Sequence, residues 1–482
     1  MTTFCIALVI LIVGYVVYGA IVEKIFGVDP GRETPCYTKR DGVDYTPMPT
    51  WKVYLIQFLN IAGTGPIFGA ILGILYGPAA YIWIVAGCIF GGAVHDFLAA
   101  MVSVRKGGAN LPEIIGDELG QGVRLVMRVL TLALMILVGT VFVTTPAGLL
   151  GTMTPTVAGL SGATFWTTVI FIYYILATLL PISTLIGRIY PIFGLALLFM
   201  AAGVLIGIFA NGGWMPEISE ALQNHHPDKS QSIFPMLCIT IACGAISGFH
   251  GTQSPMMARC VKSERMGRRI FYGAMITEGV VALIWAAAAI KFAGSYEGLK
   301  ELMTGPAGGS NPAIVVNAIC NNWLGAVGAV LAILGVVAAP ITSGDTAFRT
   351  ARLITADFTR LKQSPVRNRL LLSLPIFAVA VVLMNIDFNV LWRYFGWFNQ
   401  TLAVFTLWAV TVWLARNGKF FWISLLPAMF MTVVCTSYII CAPEGFRLPV
   451  VAGNVAGIVA AAVLTALFAR FALRLRHGGQ SA

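Results

Sequence analysis

Asn60-Ile61-Ala62-Gly63-Thr64-Gly65-Pro66-Ile67 lies inside an apolar run, residues 53–76, that would otherwise read as one membrane-spanning helix. Its centre cannot be ordinary helix. Two glycines lower helix stability, and Pro66 lacks the N–H that would bond one turn back while its ring crowds the preceding carbonyl. Proline also drives Gly65 away from helical angles, so the sequence predicts unwinding over 61–65 and a new half-helix with Pro66 at its first position. Bare backbone at mid-membrane depth is tolerated only where it is buried in protein or lines a cavity. A half-helix N-terminus there offers free N–H groups and a positive dipole end to an anion. The alternative is a kinked structural helix, because Pro and Gly are common in membrane helices.

The rest of the chain is a membrane protein by composition. Of 482 residues, 58% are hydrophobic and 11% charged, with a mean hydropathy of +0.84. That predicts an all-α polytopic fold. No Lys or Arg precedes the first apolar run, so it is read as an uncleaved helix and not as a signal peptide. Nine cysteines without a CxxC pair suggest small apolar fillers and neither a disulfide framework nor a zinc ribbon. The net charge of +11 is read as a record of topology, and no nucleic-acid partner is expected.

Apolar runs fall at 4–22, 53–76, 79–104, 123–150, 162–180 and 190–210, then at 233–258, 270–292, 323–342, 370–386, 391–414, 420–441 and 448–473. Thirteen transmembrane helices are expected. On that map 26 of the 31 Lys and Arg residues fall on the side of the 23–52 loop, and only Lys229, Lys291, Lys300, Arg393 and Arg447 fall opposite. The positive-inside rule then places the N-terminus outside and the C-terminus in the cytoplasm, in the cytoplasmic (inner) membrane. Labelling of Cys36 by an impermeant thiol reagent applied to intact cells would contradict that orientation.

A second interruption falls in the 233–258 run, which contains Gly244-Ala245-Ile246-Ser247-Gly248-Phe249-His250-Gly251-Thr252-Gln253-Ser254-Pro255. Gly251-Thr252 before Pro255 echoes Gly63-Thr64 before Pro66. With Ser254 as N-cap and Pro255 at the first helical position, a half-helix is expected to begin at Pro255. Four spans separate the two breaks, so they are first and sixth in a series and run in opposite directions. This resembles a leucine-transporter-like inverted five-plus-five repeat. The expected organisation is an extra helix and cytoplasmic loop (1–52), a first repeat (53–210), an exterior loop (211–232), a second repeat (233–414), and two trailing helices with a cytoplasmic tail (415–482).

Ionisable residues at depth mark function by default, since charge in hydrocarbon is costly. At 1.5 Å per residue, His95 and Asp96 lie about 15 Å from Arg105, Glu278 about 13 Å from Arg269, and His250 about 13 Å from Arg259. They share a depth. A proton relay or coupling site follows, because His titrates near physiological pH. The plainer readings are that His95 bonds a carbonyl, Asp96 pairs with a basic residue and Glu278 is satisfied by a neighbouring hydroxyl. His95, Asp96 and His250 could alternatively hold a metal, although their spacing is no local metal motif.

Pro340 to Thr346 closes the eighth core helix, and in the architecture resembled Thr342 and Ser343 would face the first break and complete a sodium site. Asp345 is a candidate coupling residue or an interfacial cap pairing with Arg349 one turn on. Residues 348–369 read as a cytoplasmic amphipathic helix with a solvated basic face, and His225-His226 as a solvated exterior pair. Asn399-Gln400 are two adjacent amides at depth, read as gate or cavity lining over helix glue.

Ile61 to Pro66, the His95-Asp96 pair in Gly91 to Phe97, Ser247-Gly248-Phe249-His250, Ile341 to Asp357, and Asn399-Gln400 together resemble the carbon starvation protein A family over 53–414. Longer members carry C-terminal segments that this chain lacks. The resemblance implies uptake of small nutrients, with peptides and pyruvate the attributed substrates and a proton the usual coupling ion. The expectation is a secondary transporter with no catalytic residues and no cofactor beyond the coupling proton, sodium being the alternative ion. Its partners would be a small-molecule or peptide substrate and membrane lipid. Ala62, Gly63, Thr64, Gly65, Pro66, Gly248, Phe249, His250, Gly251, Thr252, Asn399 and Gln400 would bind substrate; His95, Asp96, His250, Glu278, Thr342, Ser343 and Asp345 would couple ions. A nutrient-sensing receptor and a membrane-embedded metalloenzyme are the rival classes.

Overall fold

A computed structural model describes residues 1–41, 45–154, 156–179, 186–304, 311–359, 361, 365–386 and 388–478. The end of the 162–180 run and Arg360 and Lys362 of the basic segment lie outside the described residues, as do the side chains of Arg188 and Asp357.

Among the described residues nine helices are long and apolar enough to cross a membrane, or eleven if two bent pairs are each one span. The two remaining runs of the thirteen expected are helical but fall short. Gly162–Thr178 is a shorter apolar helix, and the second break divides its run into pieces of which the longest is Gly248–Ala258. The run at 323–342 differs more. Pro312–Gly328 and Ile333–Ala356 meet at 112°, so that run belongs to two helices rather than one. Among the described residues the one sheet is a two-residue antiparallel ladder, Thr156 opposite Ser161 and Val157 opposite Leu160.

Burial sorts the helices into a centre and a shell. Ala79–Arg105 and Glu264–Ala293 are each 83% buried, whereas Val450–Leu475 is 17% buried. The outer helices show Val451, Val455, Val459 and Val463 on an exposed apolar face that hydrocarbon, not water, can cover.

The first break forms as the sequence predicts. Thr50–Ile61 and Gly65–Tyr76 are bent by 46°, with Pro66 in the first turn of the second piece. The ladder is interrupted between Ala62, whose N–H reaches Phe58 O at 2.8 Å, and Ile67, whose N–H reaches Thr64 O at 3.2 Å. The second break is displaced from its predicted register. Ile241 to Ser247 is irregular, with Gly244 at φ +91°, and the half-helix begins at Gly248 with Pro255 inside it. The reason is local: extended Ser247 and a borrowed cap start the helix earlier, and a bundle-packed helix tolerates an internal proline.

The segment after Thr346 is also corrected. Phe348, Arg349 and Arg352 are buried within Ala339–Thr359, so that stretch is packed and not a solvated basic face.

The basic segments gather at one end. Cys36 Sγ donates to Val261 O, Arg105 Nη2 donates to Gly27 O at 2.6 Å, and buried Glu264 pairs with Arg105 at 3.0 Å. Cys36 has no exposed surface, so its silence toward a thiol reagent carries no topological information. Neighbouring Tyr37 is 48% exposed and does. A Tyr37→Cys protein is expected to gain impermeant-maleimide labelling over wild type only in inverted vesicles; a gain in intact cells would reverse the orientation.

Candidate functional site

The two breaks touch. A Cβ placed on Gly65 would stand 2.4 Å from Cys243 Cβ, so only glycine admits the second break this close. Gly69 and Gly73 continue the contact one and two turns on, meeting Thr240 O and the Ile241 side chain. This Gly-x3-Gly-x3-Gly spacing is the small-residue stripe that lets membrane helices approach. It was present in the sequence and is the signal by which the pairing of the breaks could have been found directly.

Two central helices press on the second break from the sides. Residues 87–92 of the helix carrying His95 form a π-helical turn, a distortion often found at functional sites. There a Cβ on Gly92 would collide with Ala245 O at 2.3 Å. On the other side Ala282, one turn beyond Glu278, packs under Gly244.

These approaches assemble one polar chain. Asp96 Oδ1 faces His95 Nδ1 at 2.8 Å and Asp96 Oδ2 faces His250 Nδ1 at 2.9 Å, while His250 Nε2 stands 3.4 Å from Glu278 Oε2. All four side chains are without exposed surface. A carboxylate can only accept, so Asp96 fixes the Nδ1–H form on both rings and leaves each Nε2 as the free atom. Neither His95 Nε2 nor His250 Nε2, nor either Glu278 oxygen, has a hydrogen-bond partner among the described residues. Buried polar atoms are normally satisfied, so unpartnered ones concentrated at one junction mark it as a place that takes something up.

The second half-helix borrows its cap. Asn399 Oδ1 accepts from Phe249 N–H at 2.7 Å and from Ser247 Oγ at 3.0 Å, supplying from another helix what an N-cap side chain supplies locally. Phe249 N–H is thus occupied by protein. Thr252 Oγ1 donates to Phe249 O, and Gln400 Nε2 donates to Cys238 O. In the first break Thr64 Oγ1 and Asn60 Oδ1 are buried without hydrogen-bond partners among the described residues, and Gly63 lies against the Phe142 ring. One half-helix is closed and the other is open. Gln57 Nε2 to Ser254 Oγ at 3.3 Å links the two.

Thr342 and Ser343 are buried beside the end of the first half-helix. Thr342 Oγ1 donates to Ala339 O at 2.6 Å, and Ser343 Oγ stands 3.5 Å from Leu59 O. Asp345 pairs with Arg349 at 3.6 Å, and Arg349 also donates to Ala177 O. This is an ion pair between residues one turn apart on one helix. His225 and His226 are half-buried instead of solvated, stacked near Tyr296 and Tyr76. Sequence reasoning missed Cys243, which joins Asn399 and Ser247 at the second break, because cysteines in apolar runs read as fillers.

A family model described as carbon starvation protein CstA matches residues 1–158, 152–309 and 307–438. The chain belongs to the carbon starvation protein CstA family. It is 45% identical over 347 residues to an uncharacterized membrane protein of Haemophilus influenzae, covering 62% of this chain and 93% of that one. It is 29% identical over 333 residues to the Escherichia coli pyruvate/proton symporter BtsT, covering 56% of this chain and 46% of that one. With the Escherichia coli peptide transporter CstA identity is 24% over 569 residues, covering 89% and 78%. The match takes in about half the length of BtsT. Among solved structures an Eremococcus coleocola manganese transporter superposes with a TM-score of 0.55 over 91% of this chain and 99% of that one, at 14% identity. That likeness is one of fold. CstA-family membership and the helices described above make this a multi-pass membrane protein.

Replacing Asn399 with Ala strands the Phe249 N–H and the Ser247 hydroxyl. Leaving a buried donor unsatisfied costs about 1–3 kcal/mol. Asn399→Ala is expected to lower the thermal midpoint of the detergent-solubilised protein measurably; an unchanged midpoint would show that the cap is not holding the second break.

Proposed function

We propose that this CstA-family chain is a secondary active transporter that imports small carboxylate nutrients, pyruvate or short peptides, across the inner membrane with proton coupling. The observation that carries the reading is the junction of two broken helices at a buried chain running His95, Asp96, His250, Glu278. The names of relatives, a pyruvate/proton symporter and a peptide transporter, point to substrates that share a carboxylate and supply the substrate class.

The proposed organisation is an inverted five-plus-five repeat, 53–210 against 233–414, in which one bundle rocks against the other around the breaks. The N-terminus is outside and the C-terminus in the cytoplasm. The substrate carboxylate docks at the open half-helix end, against the backbone of Gly63 to Gly65 and the Thr64 hydroxyl, where the dipole end is uncovered. Gly248 to Thr252 form the opposite wall, and Asn399 must yield Phe249 N–H before that wall can bind an anion.

His250 couples the ion. Asp96 holds its Nδ1–H, so a proton can be taken up only at Nε2, facing Glu278. A protonated ring between two carboxylates draws the half-helix toward both neighbouring helices; a neutral ring releases it. Proton occupancy is thereby tied to the position of the second break. Sodium is the second reading, and Ser343 beside Leu59 O favours it, since hydroxyls next to helix-end carbonyls are the oxygen ligands an alkali cation takes. The reading assigns no chemistry on the substrate.

Proteoliposomes with an inward proton gradient are expected to accumulate labelled pyruvate or dipeptides above equilibrium, and to lose that accumulation when the gradient is collapsed. His250→Ala that is folded, yet accumulates substrate at the wild-type rate, would remove His250 from coupling. Saturable binding without uptake would favour a receptor.

A further inference from the structure

Cys243, His250 and Glu278 come from the irregular part of the second break, from the first turn of its half-helix and from the helix packed beneath it. A thiol sulfur, an imidazole nitrogen and a carboxylate oxygen from these three residues all lie within 4.8 Å of one another, and all three residues are buried. We propose that they form a binding site for one thiophilic divalent transition metal ion of the Zn2+ class.

The spacing suits coordination. Two ligand atoms each about 2.0–2.1 Å from a tetrahedral ion stand about 3.3 Å apart. His250 Nε2 and Glu278 Oε2 already stand at 3.4 Å. The Cys243 sulfur lies within 4.8 Å of both. His250 Nε2 and Glu278 Oε2 face each other as an ion pair, and an ion between them would take over that contact.

The surrounding residues prepare the set. A metal-binding histidine usually gives its other N–H to a carboxylate, which fixes the tautomer and raises ligand basicity. His250 Nδ1 does this with Asp96 at 2.9 Å, and Asp96 is held in turn by His95 at 2.8 Å. Asn399 Nδ2 donates to Cys243 Sγ at 3.6 Å. On binding, Cys243 loses its proton to solvent, and thiolate, carboxylate and neutral imidazole together balance a dication, as buried charge requires. One soft sulfur and one imidazole select against sodium, magnesium and calcium, which take oxygen sets. Three protein ligands leave a fourth position open.

The site stands without the transport reading, since it concerns binding to the resting protein. The metal occupies Nε2 and the carboxylate that a coupling proton needs, so the loaded protein is clamped at the second break. The test uses full-length protein in detergent, freed of metal by a chelator and titrated with Zn2+ under equilibrium dialysis with elemental analysis, and separately with Co2+ under absorption spectroscopy. Expected are one Zn2+ per chain, a thiolate-to-cobalt charge-transfer band, loss of that band in Cys243→Ser, and affinity weakened at least about tenfold in Cys243→Ser and Glu278→Gln. Asp96→Asn is expected to weaken Zn2+ by about 10–100-fold through His250. No bound Zn2+ or no thiolate band in the wild-type protein overturns the proposal without recourse to any variant. Wild-type affinity in both Cys243→Ser and Glu278→Gln overturns it equally.

Discussion

Backbone that leaves the helix inside hydrocarbon must find a partner for every N–H and C=O it frees, or be buried where something else will. The centre of this protein is organised by that constraint. The 241–247 break is walled in by the helices of His95 and Glu278 and by the Gly65 stripe, with Asn399 reaching across to cap its half-helix. The 61–65 break has no such borrowed cap, and its Thr64 hydroxyl remains unpartnered. The proposed docking of substrate at the first break rests on this asymmetry between a capped and an uncapped half-helix.

The same close approaches set the electrostatics. Gly92 lets the helix of His95 and Asp96 lie directly on Ala245, and this brings a carboxylate to each side of His250. None of the three groups is charged economically alone in such surroundings; together they need one or two positive charges, as protons or as a metal ion. The proposed coupling rests on that need, with His250 on the half-helix of the second break. Asp345 and Arg349 form a separate ion pair on another helix.

Much of this was legible in the chain. Gly63, Gly65 and Pro66 carry their conformation in their own backbone chemistry, so the first break was found where it lies. The common depth of His95, His250 and Glu278 followed from counting residues back to basic ends, because helices are straight rulers over ten residues. The second break was misplaced by about two turns because its start depends on Asn399, 152 residues from Ser247, and no local signal carries that. Burial of Arg349 and Arg352 was likewise invisible: a basic face reads as solvated until tertiary packing covers it. The bend near Gly328 escaped because the apolar run continues through it, and the role of Cys243 because a thiol in an apolar run has no signature until a histidine and a carboxylate are brought beside it.

The most direct measurement of the account is proton movement itself. Purified protein in liposomes loaded with a pH-sensitive dye, without any imposed gradient, is given external pyruvate or a dipeptide. Substrate entry is expected to acidify the lumen, and a folded His250 variant is expected to lose both signals together. Substrate accumulating in wild-type vesicles with no accompanying proton flux would contradict it.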